Sequence, residues 1–138
     1  MANLIIDSFF VFSEKNNSYF HTEFGSKLNV VYGRNTSGKS TLIQLILYCF
    51  GVNDDRIRLT SILSEEIFVR VDCKIISNNG IIDIVFLRKD DVLFVRYGNK
   101  PLQRFTGIDA NNSAEHIKLK DFLHDIFGFI LVRKWFAN

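Results

Sequence analysis

Leu28-Asn29-Val30-Val31-Tyr32-Gly33-Arg34-Asn35-Thr36-Ser37-Gly38-Lys39-Ser40-Thr41 runs from a short apolar segment, through a loop bounded by glycines, into a helix-forming run. Residues Gly33 to Ser40 fit the spacing G-x-x-x-x-G-K-[ST] at every position. Gly33 and Gly38 let the backbone curl tightly, so that successive N–H groups converge on phosphate oxygens. A helix beginning near Lys39 adds its N-terminal N–H groups and the positive end of its dipole. Lys39 brings a point charge to the β- and γ-phosphates, and the Ser40 hydroxyl completes the coordination of Mg²⁺. The flanks agree with the loop. Leu28–Tyr32 is nearly all apolar, as expected of a strand buried on both faces. Thr41–Phe50 has Gln44 as its only strongly polar side chain, the pattern of a buried helix, and Gly51 stands where a C-terminal cap belongs.

On the N-terminal side, Leu4–Phe12 reads as an apolar, aromatic strand, Glu14-Lys15-Asn16-Asn17 as a turn and Ser18–Phe24 as the hairpin partner. On the C-terminal side, Arg70, Asp72 and Lys74 alternate with Val69, Val71, Cys73 and Ile75, a two-residue period with one wet face. Ser77-Asn78-Asn79-Gly80 is a strong turn signal. Ile81–Arg88 is the next strand, Lys89-Asp90-Asp91 the next turn and Val92–Tyr97 a third strand. Phe68–Tyr97 therefore reads as an antiparallel meander. Further on, Leu119–Phe127 suits a helix closed by Gly128, and Ile130-Leu131-Val132 the start of another strand.

Composition narrows the class. The 138 residues suffice for one domain, and 47% hydrophobic residues with a single Pro describe a packed chain. The longest apolar runs, such as Leu45–Gly51, are far short of the roughly 20 residues a membrane span requires. The opening MANLIIDSFF has no basic segment and no small-residue cleavage site, which argues against secretion and for a cytoplasmic protein. Cys49 and Cys73 lie in apolar segments and read as reduced core residues. The net charge of +2, from 17 basic and 15 acidic residues, is too balanced to argue for nucleic acid. Arg70, Lys74, Arg88, Arg96 and Arg104 could touch DNA phosphates from one surface, but the interleaved Asp72, Asp83, Asp90 and Asp91 favour an ordinary solvated sheet face. His21, His116 and His124 show no metal-ligand spacing.

Asn29 to Thr41 resembles the P-loop segment in the ABC-type ATPase heads of SMC proteins, of the RecF and RecN repair proteins and of the double-strand-break repair ATPase. That family has a hydrophobic pair, then G-x-N-G-x-G-K-[ST], close behind an N-terminal hairpin. Asn35 falls on the family's Asn, and Thr36 replaces the more usual Gly. Compact ATPases with such loops also resemble those of prokaryotic antiviral defence systems. The resemblance implies an α/β fold of the P-loop NTPase class, with a mixed sheet around the P-loop helix and the antiparallel meander as a side sheet. It implies ATP and Mg²⁺ as cofactors. Gly33, Arg34, Asn35, Thr36, Ser37, Gly38, Lys39, Ser40 and Thr41 would hold the nucleotide, and Ser40 the metal. Related heads contact the base near the end of the first strand, but a plain hairpin turn accounts better for Phe12, Ser13 and Lys15.

Several family parts are missing from the sequence. No apolar strand ends in Asp-Glu as a Walker B does: Ile81-Ile82-Asp83-Ile84-Val85 continues apolar past its Asp. No L-S-G-G signature is present, and Leu63-Ser64-Glu65-Glu66 lacks its glycines. In the resembled proteins those parts come from a second lobe. Residues 1–138 thus read as a single domain, the N-terminal lobe of an ABC-type head, as a truncation or one piece of a split ATPase. Its expected partners are a C-terminal lobe carrying Walker B and signature, a second head in a dimer, and DNA through the full complex. A self-contained P-loop phosphotransferase and a nucleotide-binding module without hydrolysis remain the alternatives.

Overall fold

Strict alternation in the middle of the chain produces strands with one apolar face, and such strands assemble only if that face is covered. The computed structural model describes residues 3–25, 39–52, 66–107 and 114–127. In chain order they form β1 (Asn3–Ser13), β2 (Ser18–Glu23), α1 (Lys39–Cys49), β3 (Ile67–Ser77), β4 (Gly80–Lys89), β5 (Val92–Tyr97), β6 (Gln103–Phe105) and α2 (Ala114–Phe127). Among the described residues the strands make one six-stranded sheet of order β2-β1-β3-β4-β5-β6, with every neighbouring pair antiparallel.

This differs from the expected division into a mixed sheet and a side sheet. The N-terminal hairpin and the meander are joined, because β1 pairs with β3 from Asn3↔Ile76 to Ser13↔Ile67. A bulge between Ile6 and Ser8 keeps apolar residues on the covered face of β1 along its whole length. Leu4 and Ile6 stand opposite Ile75 and Cys73, and beyond the bulge Phe9 and Val11 stand opposite Val71 and Val69. Parallel pairing would need the strand at Leu28–Tyr32, which lies outside the described residues, as does Ile130–Val132. α1 starts at Lys39, where the motif placed it, whereas α2 starts at Ala114, earlier than the expected Leu119. The residues added to α2 include Glu115 and Lys118, and their Ile117 is exposed, so they extend no apolar face that periodicity could register. The short β6 was not expected at all.

The core lies between the sheet and the two helices. Val69, Val71, Ile84, Phe86, Leu93 and Val95 are fully buried on one face, together with Cys49 of α1 and Leu119 and Leu123 of α2, and Leu45 and Tyr48 of α1 and Phe50 just beyond it are buried in the same cluster. Burial of each large apolar side chain stabilises the fold by about 1.5–3 kcal/mol. Phe50 meets Phe86 edge-on at 4.8 Å, and Phe122 of α2 packs against Phe105 of β6 at 5.5 Å. α1 thus lies over β3 and β4, and α2 at the β6 edge.

Candidate functional site

Lys39 and Ser40 are the first two residues of α1, and Thr41, half-buried, is the third. Gly33 to Gly38 lie outside the described residues. The first turn of a helix leaves its N–H groups without intrahelical partners, and it carries the positive end of the dipole. α1 has no acidic residue in that turn, so the turn itself brings no carboxylate to an incoming anion. A helix N-terminus of this kind suits an anion in general, and this one begins at the Lys-Ser pair that the sequence reading assigns to phosphate and Mg²⁺. One turn further on, Gln44 is buried, and its Oε1 has no hydrogen-bond partner among the described residues.

The other end of α1 is closed in two ways. Gly51 sits at φ 91, Gly51 N–H donates to the Tyr48 carbonyl and Val52 N–H donates to that of Leu47. These two bonds are a Schellman cap, and the positive φ is the conformation that glycine adopts without strain. α1 has no basic residue in its last turn. β4 supplies one: Arg88, 1% exposed, donates from Nη1 to the Tyr48 carbonyl at 2.7 Å and from Nε to the Asp90 carbonyl at 3.0 Å. Its guanidinium lies 3.8 Å above the Tyr48 ring, and the Tyr48 hydroxyl donates to the same Asp90 carbonyl at 3.3 Å. Burial raises the Tyr48 phenol above its ordinary range, partly opposed by the Arg88 charge. Burial likewise pushes the Cys49 thiol up to about 12.

Arg88 therefore does not belong with the other four cations of the sequence reading. Position 88 shares parity with Ile84 and Phe86 and faces the core. Arg70, Lys74, Arg96 and Arg104 lie on the opposite, outer face. There Arg70 pairs with Asp72 at 2.8 Å and Lys74 with Asp7 at 3.0 Å. Solvent screens such exposed pairs, in keeping with a solvated face. At the hairpin tip, the Ser13 hydroxyl accepts a bond from Asn16 N–H at 3.2 Å, inside the turn. Glu14 of the same turn is paired with Lys89 at 2.6 Å. No cluster of three metal-ligating side chains occurs among the described residues, and no helix there is long and apolar enough to cross a membrane.

Comparison with known proteins gives one family. The family model described as an AAA domain matches residues 3–127, from the first residue of β1 to the last of α2. No curated protein matches the chain.

Proposed function

The chain belongs to the AAA domain family, and on that footing we propose that it binds Mg-ATP at the N-terminal end of α1 as the Walker A half of an SMC-like ATPase head. AAA domains are nucleotide-binding ATPase domains, which supports the ligand class. The observation that carries the reading is the coincidence of three things at one place. The G-x-x-x-x-G-K-S spacing ends at Ser40, the helix starts at Lys39, and its first turn is free of acid.

Gly33 to Thr41 hold the triphosphate in this reading, Lys39 at its β- and γ-oxygens. Ser40 would hold Mg²⁺, which when bound would supply positive charge to the phosphates. Hydrolysis further requires a base to orient the attacking water. The sequence has neither an apolar strand ending in Asp-Glu nor an L-S-G-G segment. We therefore assign residues 1–138 to one lobe, with Walker B and signature supplied by a C-terminal lobe in a dimer of heads, and DNA engaged by the complete assembly.

Titration calorimetry with Mg-ATP tests the site. Lys39→Ala should weaken binding by about 1.5–3 kcal/mol, the scale of a lost charge-assisted hydrogen bond. Equal affinity of wild type and Lys39→Ala would remove the assignment.

A further inference from the structure

The inference rests on the nucleotide reading above and concerns the opposite end of the same helix. α1 has 11 residues, which makes it a rod of about 16 Å at 1.5 Å per residue. Its outward end carries Lys39 and Ser40, and its other end is gripped by Arg88. We propose that Arg88 is a positioning residue for nucleotide binding: it fixes α1 along its own axis and so sets where the phosphate-binding end stands.

Three observations lead there. First, Arg88 is redundant as a cap, since Gly51 and Val52 already donate to the last carbonyls of α1. Second, burying a guanidinium is expensive, and an apolar side chain of similar size commonly gives equal or greater stability. Stability alone therefore does not explain a cation at 1% exposure. Third, the apolar contacts of α1 with β3 and β4 are non-directional and resist sliding poorly. Cys49 Sγ lies 3.5 Å from the Val69 carbonyl and 3.6 Å from that of Phe86, both weak bonds for a thiol. Among the described residues, stronger directed bonds join this end of α1 to the sheet and its turn at Arg88, Tyr48 and the Asp90 carbonyl. Arg88 stands in β4 between Val69 of β3 and Leu93 of β5. A planar fork held in the middle of a sheet is a fixed reference, and a helix is stiff enough to carry that reference to its other end.

The test compares affinity with stability in the full 138-residue chain. Arg88→Met keeps the length of the arginine stem and removes the fork, and Arg88→Lys keeps a cation and removes the second directed donor. Mg-ATP affinity is measured by calorimetry well below the melting temperature of each variant. Leu123→Ala, in the buried face of α2, the helix at the β6 edge, serves as a destabilised control. Arg88→Met should bind about tenfold more weakly, a loss well inside what small misplacements of a binding group produce. Arg88→Lys should fall between Arg88→Met and wild type, and Leu123→Ala should melt earlier and bind as wild type does. Wild-type affinity in Arg88→Met, or a loss in Leu123→Ala as large as that in Arg88→Met, overturns the positioning role. If Arg88→Met does not fold, Arg88→Lys decides: weaker binding supports the role, and wild-type affinity overturns it. The two readings fail separately. Absence of binding in wild type defeats the nucleotide site and this role with it, whereas binding that responds to Lys39→Ala but not to Arg88→Met defeats this role alone.

Discussion

At the scale of single residues, the interior of this protein holds polar groups whose chemistry is suppressed by burial. Cys49 is fully buried, and desolvation raises its thiol from 9.0 to about 12, against the opposing pull of the Arg88 charge. Cys73 is raised in the same direction and mainly for the same reason. A thiolate is the reactive form, so both should resist thiol reagents at pH 8 in the folded chain and react fully in urea. Rapid labelling of the folded protein would contradict their burial. The same shift has a thermodynamic side. Because the folded value lies above the unfolded one, the stabilising contribution of Cys49 is complete below about pH 9 and is lost as pH rises toward 12. Urea midpoints should therefore fall between pH 8 and pH 10.5, and Cys49→Ala should show a smaller fall. Gln44 is the opposite case, a buried acceptor without a partner among the described residues. Replacing such a group by an apolar one of similar shape is neutral to stabilising. Gln44→Leu should raise the stability of the nucleotide-free chain by about 1 kcal/mol; a marked loss in thermal melts would mean that the amide is bonded in solution.

At the scale of elements, α1 shows which features a sequence discloses. Its body was legible because Thr41–Phe50 is apolar apart from Gln44, and its end was legible because Gly51 is the one residue there suited to φ 91. Its first turn was placed by motif chemistry, not by periodicity, since Lys39 and Ser40 carry no apolar signal. Arg88 was misread because it was grouped with other cations by charge. Its parity with Ile84 and Phe86 already put it on the covered face. The joining of β1 to β3 was not legible at all: neither strand encodes its partner locally, and both have several apolar positions to offer. The loop from Gly33 to Gly38, the centre of the candidate site, was legible purely as spacing. For the cap, Gly51→Ala forces a side chain into a left-handed conformation and should destabilise the chain by about 1 kcal/mol. Gly51→Asn should cost less than Gly51→Ala, because Asn tolerates that region better. Urea denaturation of the two variants checks the order, and equal midpoints for Gly51→Ala and wild type would remove the cap from the account.

At the scale of the whole molecule, the proposed division of labour makes a prediction about turnover. A chain with a phosphate-binding loop but no Asp-Glu strand should bind Mg-ATP and hydrolyse it near the background rate. Addition of a lobe carrying Walker B and signature should restore a turnover that Lys39→Ala abolishes. Steady hydrolysis by the 138 residues alone, abolished by Lys39→Ala, would instead make the protein a self-sufficient enzyme. The order of strands in the sheet bears on something else, the time course by which the chain acquires its structure. β3, β4 and β5 are joined by two-residue turns and can zip up from their own neighbourhood, on the microsecond scale of hairpins. β1 must wait, since Phe9 pairs with Val71 and Val11 with Val69, across the entire loop and helix of the candidate site. Long closures of this kind are entropically late. On a ribosome adding about 5–20 residues per second, the N-terminal hairpin stands for several seconds with one edge open before its second neighbour exists. The proposed nucleotide-binding segment thus lies within the span of sequence that separates these two partners, and a ligand that orders it early would speed the pairing of the first strand made with the first strand of the meander.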